Sequence, residues 1–367
     1  MIADLRKFLA GFVERHDDRA RTQRDAVTAF GLRVASAALL YLTQVVMARW
    51  IGSHDYGIYV FVWTWVLVLG GITHLGFNAA MMRLLPEYRE HGRLDRYRAL
   101  VRGGRIFALS AGTAVAAVGM AGLYFFSEHI TGTYVLPAYL ALVCVPLFAL
   151  TEVQDGIGRG QGWIWIGLVP PYVLRPALVL ISMFAASGVG LPMTATTAAA
   201  AAIVATWGAA VVQTLMLNRK LQDVVERGER AYDFRGWFAV SIPLVVVGAA
   251  ELMLQNTDIL VVSKYMTPTD VAIYFAAAKT MSLIMFVHYA VGSAVANRFS
   301  ALNARGDTAQ LRAFVRDAVN WTFWPSLAGA IIILALGKPL LWLFGPQFEA
   351  GYPVMFILVI GFLFRSS

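Results

Sequence analysis

Arg49-Trp-Ile-Gly-Ser-His-Asp-Tyr-Gly-Ile-Tyr59 sits between two long apolar runs and returns as Lys264-Tyr-Met-Thr-Pro-Thr-Asp-Val-Ala-Ile-Tyr274. Arg49/Lys264, Asp55/Asp270, Ile58/Ile273 and Tyr59/Tyr274 pair at an offset of 215, and Arg83/Arg298 keeps the same offset. Arg98-Ala-Leu-Val-Arg102 matches Arg312-Ala-Phe-Val-Arg316 at an offset of 214. Apolar helices resemble one another by chance. Two polar matches in one order and at nearly one spacing point instead to a tandem duplication.

The repeated Asp has a local reason. With Gly52 and Thr267 as N-caps, Asp55 and Asp270 fall at the third helical position, and Thr267-Pro-Thr-Asp270 reads as a capping box. Arg49 and Lys264 then close the preceding helices, where a cation suits the negative end. These four residues read as structural.

The chain has 367 residues, 59% hydrophobic and 14% charged. A soluble globule of that size cannot hide so much apolar surface. Runs of about 20 apolar residues match the hydrocarbon thickness of a bilayer. The fold class is therefore an all-α polytopic membrane protein; a β-barrel would alternate in short segments. The single cysteine, Cys144, excludes a disulfide framework and a cysteine metal site.

Ten spans are expected, at 26–49, 57–81, 103–126, 134–154, 163–185, 196–217, 238–262, 271–296, 319–337 and 349–364. Pro146, Pro170, Pro171 and Pro176 soften the fourth and fifth. The Ala- and Thr-rich segment 191–212 suits close packing inside a bundle. Before the first span, residues 1–24 form a basic tail whose apolar residues recur at helical spacing, as an interfacial helix or a solvated tail would.

The tail, the even-numbered connections and the C-terminus carry 24 of the 30 basic residues. The opposite side has Arg49, Lys264 and Lys338. That asymmetry places both termini in the cytoplasm, and topology then accounts for the +8 net charge without a nucleic-acid partner. The repeat divides the chain into a tail at 1–24, a six-helix bundle at 25–236 and a second bundle at 237–367. The second copy reaches only its fourth span, so the expectation is a sequence or a divergent protein lacking the last two helices.

Ionisable groups inside spans are costly unless paired or hydrated. Arg33, Arg175 and Lys279 lie within spans and together suit a water-filled cavity for an anionic substrate such as a phosphate or pyrophosphate. Snorkelling to the interfaces is the alternative for Arg33 and Lys279. Glu251 and Asp258, seven residues apart, share roughly one helix face and would pair with cations or bind a coupling ion. Glu152 and Asp155 read as structural. His74 and His288 stand singly, which argues against a metal site. Gly156-Ile-Gly158 and Gly160 follow a membrane helix rather than a strand and make no nucleotide site. Trp50, Trp63, Trp65, Trp163 and Trp165 fit interfacial belts rather than sugar platforms.

The stretch Ala48-Arg-Trp-Ile-Gly-Ser-His-Asp-Tyr-Gly-Ile-Tyr59, with Gly76-Phe-Asn-Ala-Ala-Met-Met-Arg83 and Leu343-Phe-Gly-Pro-Gln-Phe348, resembles the polysaccharide transporter family of the multidrug/oligosaccharidyl-lipid/polysaccharide flippase superfamily. The resemblance runs from about residue 25 to 364 and is specific for the superfamily rather than the substrate. It implies two six-helix bundles around a central cavity and alternating-access flipping of an undecaprenyl-pyrophosphate-linked glycan across the bacterial inner membrane. It implies partners too: a lipid-linked glycan, membrane lipids and proteins of polysaccharide assembly. The family's cavity cations match Arg33, Arg175 and Lys279 by type and approximate place only. The chain departs from the family in length. A monomer without cofactor, apart from a coupling H⁺ or Na⁺, is expected.

Two rivals remain at this point. A drug or cation antiporter of the same fold would rely on Glu251 and Asp258. A membrane enzyme of polysaccharide assembly would carry a substantial outer loop, and no such loop separates the spans.

Overall fold

The computed structural model describes residues 18–226, 228–284 and 308–366. Residues 1–17, His288, Asn297, Arg298 and the side chains of Arg33 and Arg312 lie outside that description, and with them most of the expected tail helix.

Among the described residues every regular element is helical. The helices are α1 (Asp18–Thr73), α2 (Phe77–Glu90), α3 (Leu94–Phe126), α4 (Gly132–Gly160), α5 (Ile164–Val169) and α6 (Arg175–Gly188). They continue with α7 (Ala195–Val224), α8 (Phe234–Tyr265), α9 (Pro268–Met281), α10 (Thr308–Ala335), α11 (Gly337–Trp342) and α12 (Tyr352–Ser366). Among the described residues seven helical stretches are long and apolar enough to cross a membrane, and one of them, Val34–Glu90, takes in the first expected span from residue 34 on and all of the second. Pro346–Phe362 is a shorter apolar stretch, and α9 begins the eighth span. The protein is a multi-pass, all-α membrane protein.

The helices run back and forth between two ends. One end holds Gly52, the loop before α7 and the α8–α9 turn. The other holds the basic connections, where 91–93, 161–163 and 225–233 join successive helices.

Gly52 is a correction to the expected N-cap. It is a one-residue kink within α1 (φ 77°, ψ 164°), and nothing would crowd a Cβ there, so only the backbone conformation calls for glycine. Asp55 does not cap its own helix: its Oδ1 accepts from Ala195 N at 2.8 Å, at the start of α7. The returning chain sets an unpaired amide over Asp55, which sequence spacing does not reveal. At the second copy the expected box forms. Thr267 N donates to Asp270 Oδ2 at 3.2 Å, and Asp270 N donates to Thr267 Oγ1 at 3.3 Å.

The second span also differs from its expected bounds. It begins before residue 57, and a turn at His74–Gly76 interrupts it, with Leu75 at φ 45° and Gly76 at φ 74°. A Cβ on Gly76 would sit 2.4 Å from the Ser241 carbonyl oxygen, so α8 crosses this break at backbone contact.

Packing follows the small residues. Ala198, Ala199, Ala201, Ala202, Ala205, Ala209 and Ala210 line the buried face of α7, as the Ala-rich stretch predicts. Gly156, Gly158 and Gly160 let α4 approach Asn78, Gly167 and Met82, where a Cβ would come within 2.3, 2.8 and 2.9 Å of backbone atoms. The glycine pattern thus serves helix packing. A large apolar core joins both halves at the Gly52 end, where Tyr56 meets Phe275 and Phe348 edge-on.

Candidate functional site

Two prolines build the environment of Arg175. Pro170 and Pro171 have no N–H, so the carbonyls of Ile166 and Gly167 lose their helical donors. Residues Pro170–Leu174 form a π-turn, closed by Arg175 N on the Pro170 carbonyl. Gln213 of α7 supplies the missing donor: its Nε2 lies 3.4 Å from Ile166 O and 3.0 Å from Gly167 O. Gln213 is fully buried, so this repair takes place away from solvent.

The turn ends at Arg175, whose guanidinium lies between rings. Its Cζ is 4.9 Å from the centroid of Phe148 and 5.7 Å from that of Trp63. Trp63 in turn stacks on Tyr59 at 6.1 Å. This corrects the reading of Trp63 as an interfacial belt residue: it lines the interior beside a cation. Arg175 Nη1 is enclosed and has no hydrogen-bond partner. Its electrostatic neighbours are Glu152, Tyr172, Tyr59 and Cys144, all from the N-terminal half.

Glu152 connects Arg175 to a second group. Its carbonyl accepts from Asn78 Nδ2 at 2.8 Å, and Asn78 Oδ1 accepts from Arg159 Nη2 at 3.3 Å. Arg159 pairs with the buried Asp155 at 2.6 Å. A buried pair of this kind is retained when hydrogen bonds hold both ions, as Asn78 does here for Arg159. Asp155 therefore has a structural role, as its position suggested. Glu152 acts electrostatically on Arg175.

The C-terminal half holds a separate group. Asp258 Oδ2 accepts from Tyr274 Oη at 2.8 Å, and Asp258 acts electrostatically on Lys279. Lys279 Nζ lies 5.1 Å from the Phe275 ring centroid. Glu251 is exposed and accepts from Gln255 at 3.3 Å. Arg175 and Lys279 thus stand in two groups, one in each half. Arg33 lies on the first limb of α1.

The halves join at the Gly52 end. A Cβ on Gly57 would fall 1.7 Å from the Pro268 carbonyl oxygen, so the two copies of the repeated stretch touch backbone to backbone. Arg49 donates through Nε to Leu343 O at 2.5 Å and through Nη2 to Trp342 O at 2.7 Å. It satisfies the end of α11 across the interface, rather than closing only its own helix. Tyr41 Oη and Thr280 Oγ1 are 3.1 Å apart across the same interface.

Sequence reasoning found the ionisable residues and missed Tyr59, Trp63, Tyr172 and Gln213. The one signal for Gln213 was the proline pair, which frees two carbonyls that some donor must meet. Among the described residues no group of His, Cys, Asp and Glu is arranged to hold a metal ion.

Residues 24–302 match the family model described as polysaccharide biosynthesis protein, and residues 243–365 match the MatE model. No curated protein matches the chain. Among solved structures it is similar to a MATE protein in complex with MaD3S, at 14% identity and TM-score 0.65, covering 92% of this chain and 78% of that one. It is also similar to an inward-facing multidrug resistance MATE family transporter of the MOP superfamily, at 14% identity and TM-score 0.63, covering 90% and 76%. A third likeness is to a MOP superfamily transporter from Pyrococcus furiosus Vc1 described by the reverse polarity of its binding pocket. That match has 14% identity and TM-score 0.62 and covers 89% and 75%. These likenesses establish the fold.

Proposed function

From the premise that this chain belongs to the polysaccharide biosynthesis protein family, we propose that it flips a polyprenyl-pyrophosphate-linked oligosaccharide across the bacterial inner membrane. The repeat unit of an O-antigen, exopolysaccharide or capsule would be the cargo. It is a membrane transporter rather than an enzyme, in keeping with both matched families.

The observation that carries the proposal is Arg175. A guanidinium enclosed in the spanning region, beside aromatic rings and with Nη1 unpartnered, is poised to bind a phosphoryl oxygen. Lys279 would supply a second cation, and Arg33 a third. The pyrophosphate would be neutralised while the polyprenyl tail stays in lipid, and rocking of the halves would expose the glycan on the far side. The basic end would face the cytoplasm. Asp258 and Glu251 would take the coupling H⁺ or Na⁺.

A second reading follows from the MatE match, which spans both Glu251 and Asp258. A cation-coupled drug antiporter would use those carboxylates as its site.

Inverted vesicles loaded with lipid-linked glycan separate the two. Translocation lost in Arg175→Ala and Lys279→Ala at normal protein level supports flipping. Unchanged translocation in both variants overturns the cation assignment. Absent translocation with efflux of a cationic dye that depends on Asp258 establishes the antiporter.

A further inference from the structure

Arg175 has a carboxylate beside it to which the transport reading gives no task. Glu152 lies one turn after Phe148 on the same face of α4. The Arg175 guanidinium is 4.9 Å from the Phe148 ring centroid, and a Cβ on Gly167 would lie 3.1 Å from Asp155 Oδ1. The stretch from Gly167 to Arg175 therefore runs antiparallel along the face that leads from Asp155 back to Phe148. Glu152 falls between those two contacts, opposite the π-turn, and acts electrostatically on both Arg175 and Tyr172.

This place is open to solvent. Glu152 and Arg175 are partly exposed, and Tyr172 is 38% exposed. Of the Arg175 nitrogens only Nη1 is enclosed without a partner. Among the described residues the Glu152 carboxylate has neither a hydrogen bond nor an ion pair. Its backbone is held, because Asn78 Nδ2 donates to the Glu152 carbonyl at 2.8 Å. The helix is anchored here while the side chain keeps its choice of partner.

The other groups around it are committed or neutral. Asp155 and Arg159 of α4 pair at 2.6 Å, with Asp155 1% exposed. The π-turn brings Tyr172, α1 brings Tyr59 and α4 brings Cys144 towards Arg175. Helix α2 contributes Asn78. Helix α7 contributes Gln213, bonded to Gly167 O at 3.0 Å, and Thr214, bonded to Gln154 at 2.8 Å. Among the described residues Glu152 is thus the carboxylate beside Arg175 that can change partner.

A guanidinium within a span needs a counter-charge. Glu152 supplies one while the site is empty. A phosphate-bearing anion would take N–H groups of the same guanidinium and bring negative charge of its own. Two anions at one cation repel, and a proton on the carboxylate removes the repulsion while the anion stays bound.

We propose that Glu152 is the resident counter-ion of Arg175 and that an incoming phosphate-bearing anion displaces it, with a proton from solution adding to the Glu152 carboxylate. One O–H bond forms, the group becomes neutral, and the proton leaves again when the anion does. The inference rests on the reading of Arg175 as an anion site and is independent of the ion that Asp258 takes. Protonated Glu152 favours the bound state, so anion affinity rises as pH falls.

The test titrates the purified full chain in detergent with dimethyl pyrophosphate, a diester that keeps both negative charges at neutral pH. Calorimetry in two buffers of different ionisation enthalpy counts the protons taken up on binding. The parent is expected to take up close to one proton per diester. Glu152→Gln, which cannot compete for Arg175, should take up none and bind about ten-fold tighter at neutral pH. Its affinity should be level with pH where that of the parent falls. Diester binding by the parent that is lost in Arg175→Ala but takes up no proton overturns this inference and leaves the anion site standing. So does a Glu152→Gln chain that takes up the proton as the parent does. Equal affinity of the parent and Arg175→Ala, or no binding by the parent, overturns the anion site and this inference with it. Should Glu152→Gln fail to fold, the proton count of the parent alone decides.

Discussion

Gly57 and Pro268 meet across the interface of the two halves so closely that a Cβ on Gly57 would lie 1.7 Å from the Pro268 carbonyl oxygen. The two residues lie in the two matching sequence stretches, which meet at the Gly52 end. The listener to this contact is backbone, which cannot swing aside as a side chain would. Gly57→Val is expected to separate the halves here and to destabilise the closed end by about 1–3 kcal/mol. A lower thermal midpoint of the purified chain checks it; an unchanged midpoint would show that the contact opens freely.

Arg49 ties the same end by bonding to the carbonyls of Trp342 and Leu343 and lying 4.9 Å from the Trp342 ring centroid. Arg49→Ala removes this tie and leaves the packing core intact. The expected outcome is faster thiol labelling of a cysteine placed at Ser53, because the end opens more often. Cys144 is buried, so the background should be low. Equal labelling rates would assign closure to the apolar core alone.

Gln213 repairs the carbonyls freed by Pro170 and Pro171. Gln213→Leu keeps bulk and leaves both carbonyls buried and unmet, at about 1–3 kcal/mol each. A fall in thermal midpoint is expected, together with weaker glycan translocation as the turn carrying Arg175 shifts. Thermal unfolding and vesicle assays on one preparation measure both.

Arg175→Lys distinguishes charge from shape. Lysine keeps the positive charge but loses the planar group that lies between Phe148 and Trp63. Translocation is expected to fall well below the parent and to stay above Arg175→Ala. Equal loss in the two variants would mean that the paired N–H geometry, not the charge, carries the step.

The capping box at Thr267 gives a local stability test. Thr267→Ala removes the acceptor for Asp270 N and should cost about 0.5–2 kcal/mol. Asp55→Ala instead removes the acceptor for Ala195 N and should weaken the start of α7. Hydrogen exchange read separately over α9 and α7 would locate the two losses; loss confined to the variant's own helix at Asp55 would contradict the cross-helix bond.

Much of the fold was legible because membrane spans are long, apolar and independent of one another in sequence. Among the described residues the expected spans fall largely on helix, the second broken at His74–Gly76, and the basic connections gather at one end of the described bundle. The capping box at Thr267 was legible for a similar reason, since its partners are three residues apart. Asp55 was not, because its partner is 140 residues away. Trp63 was misread because an aromatic near a span end looks alike whether it faces lipid or a cation.

The sequence by itself determined the all-α membrane class and the apolar segments with the charged residues inside them, since hydrophobic length and charge cost are properties of single segments. Only the tertiary structure decided which charges meet. It put Arg175 between Trp63 and Phe148, paired Asp258 with Tyr274, and kept the two groups in different halves. It also brought Arg105 to Asn218. Such pairings depend on how helices distant in sequence pack, and a helix's own periodicity says which face is apolar, not which neighbour that face will meet.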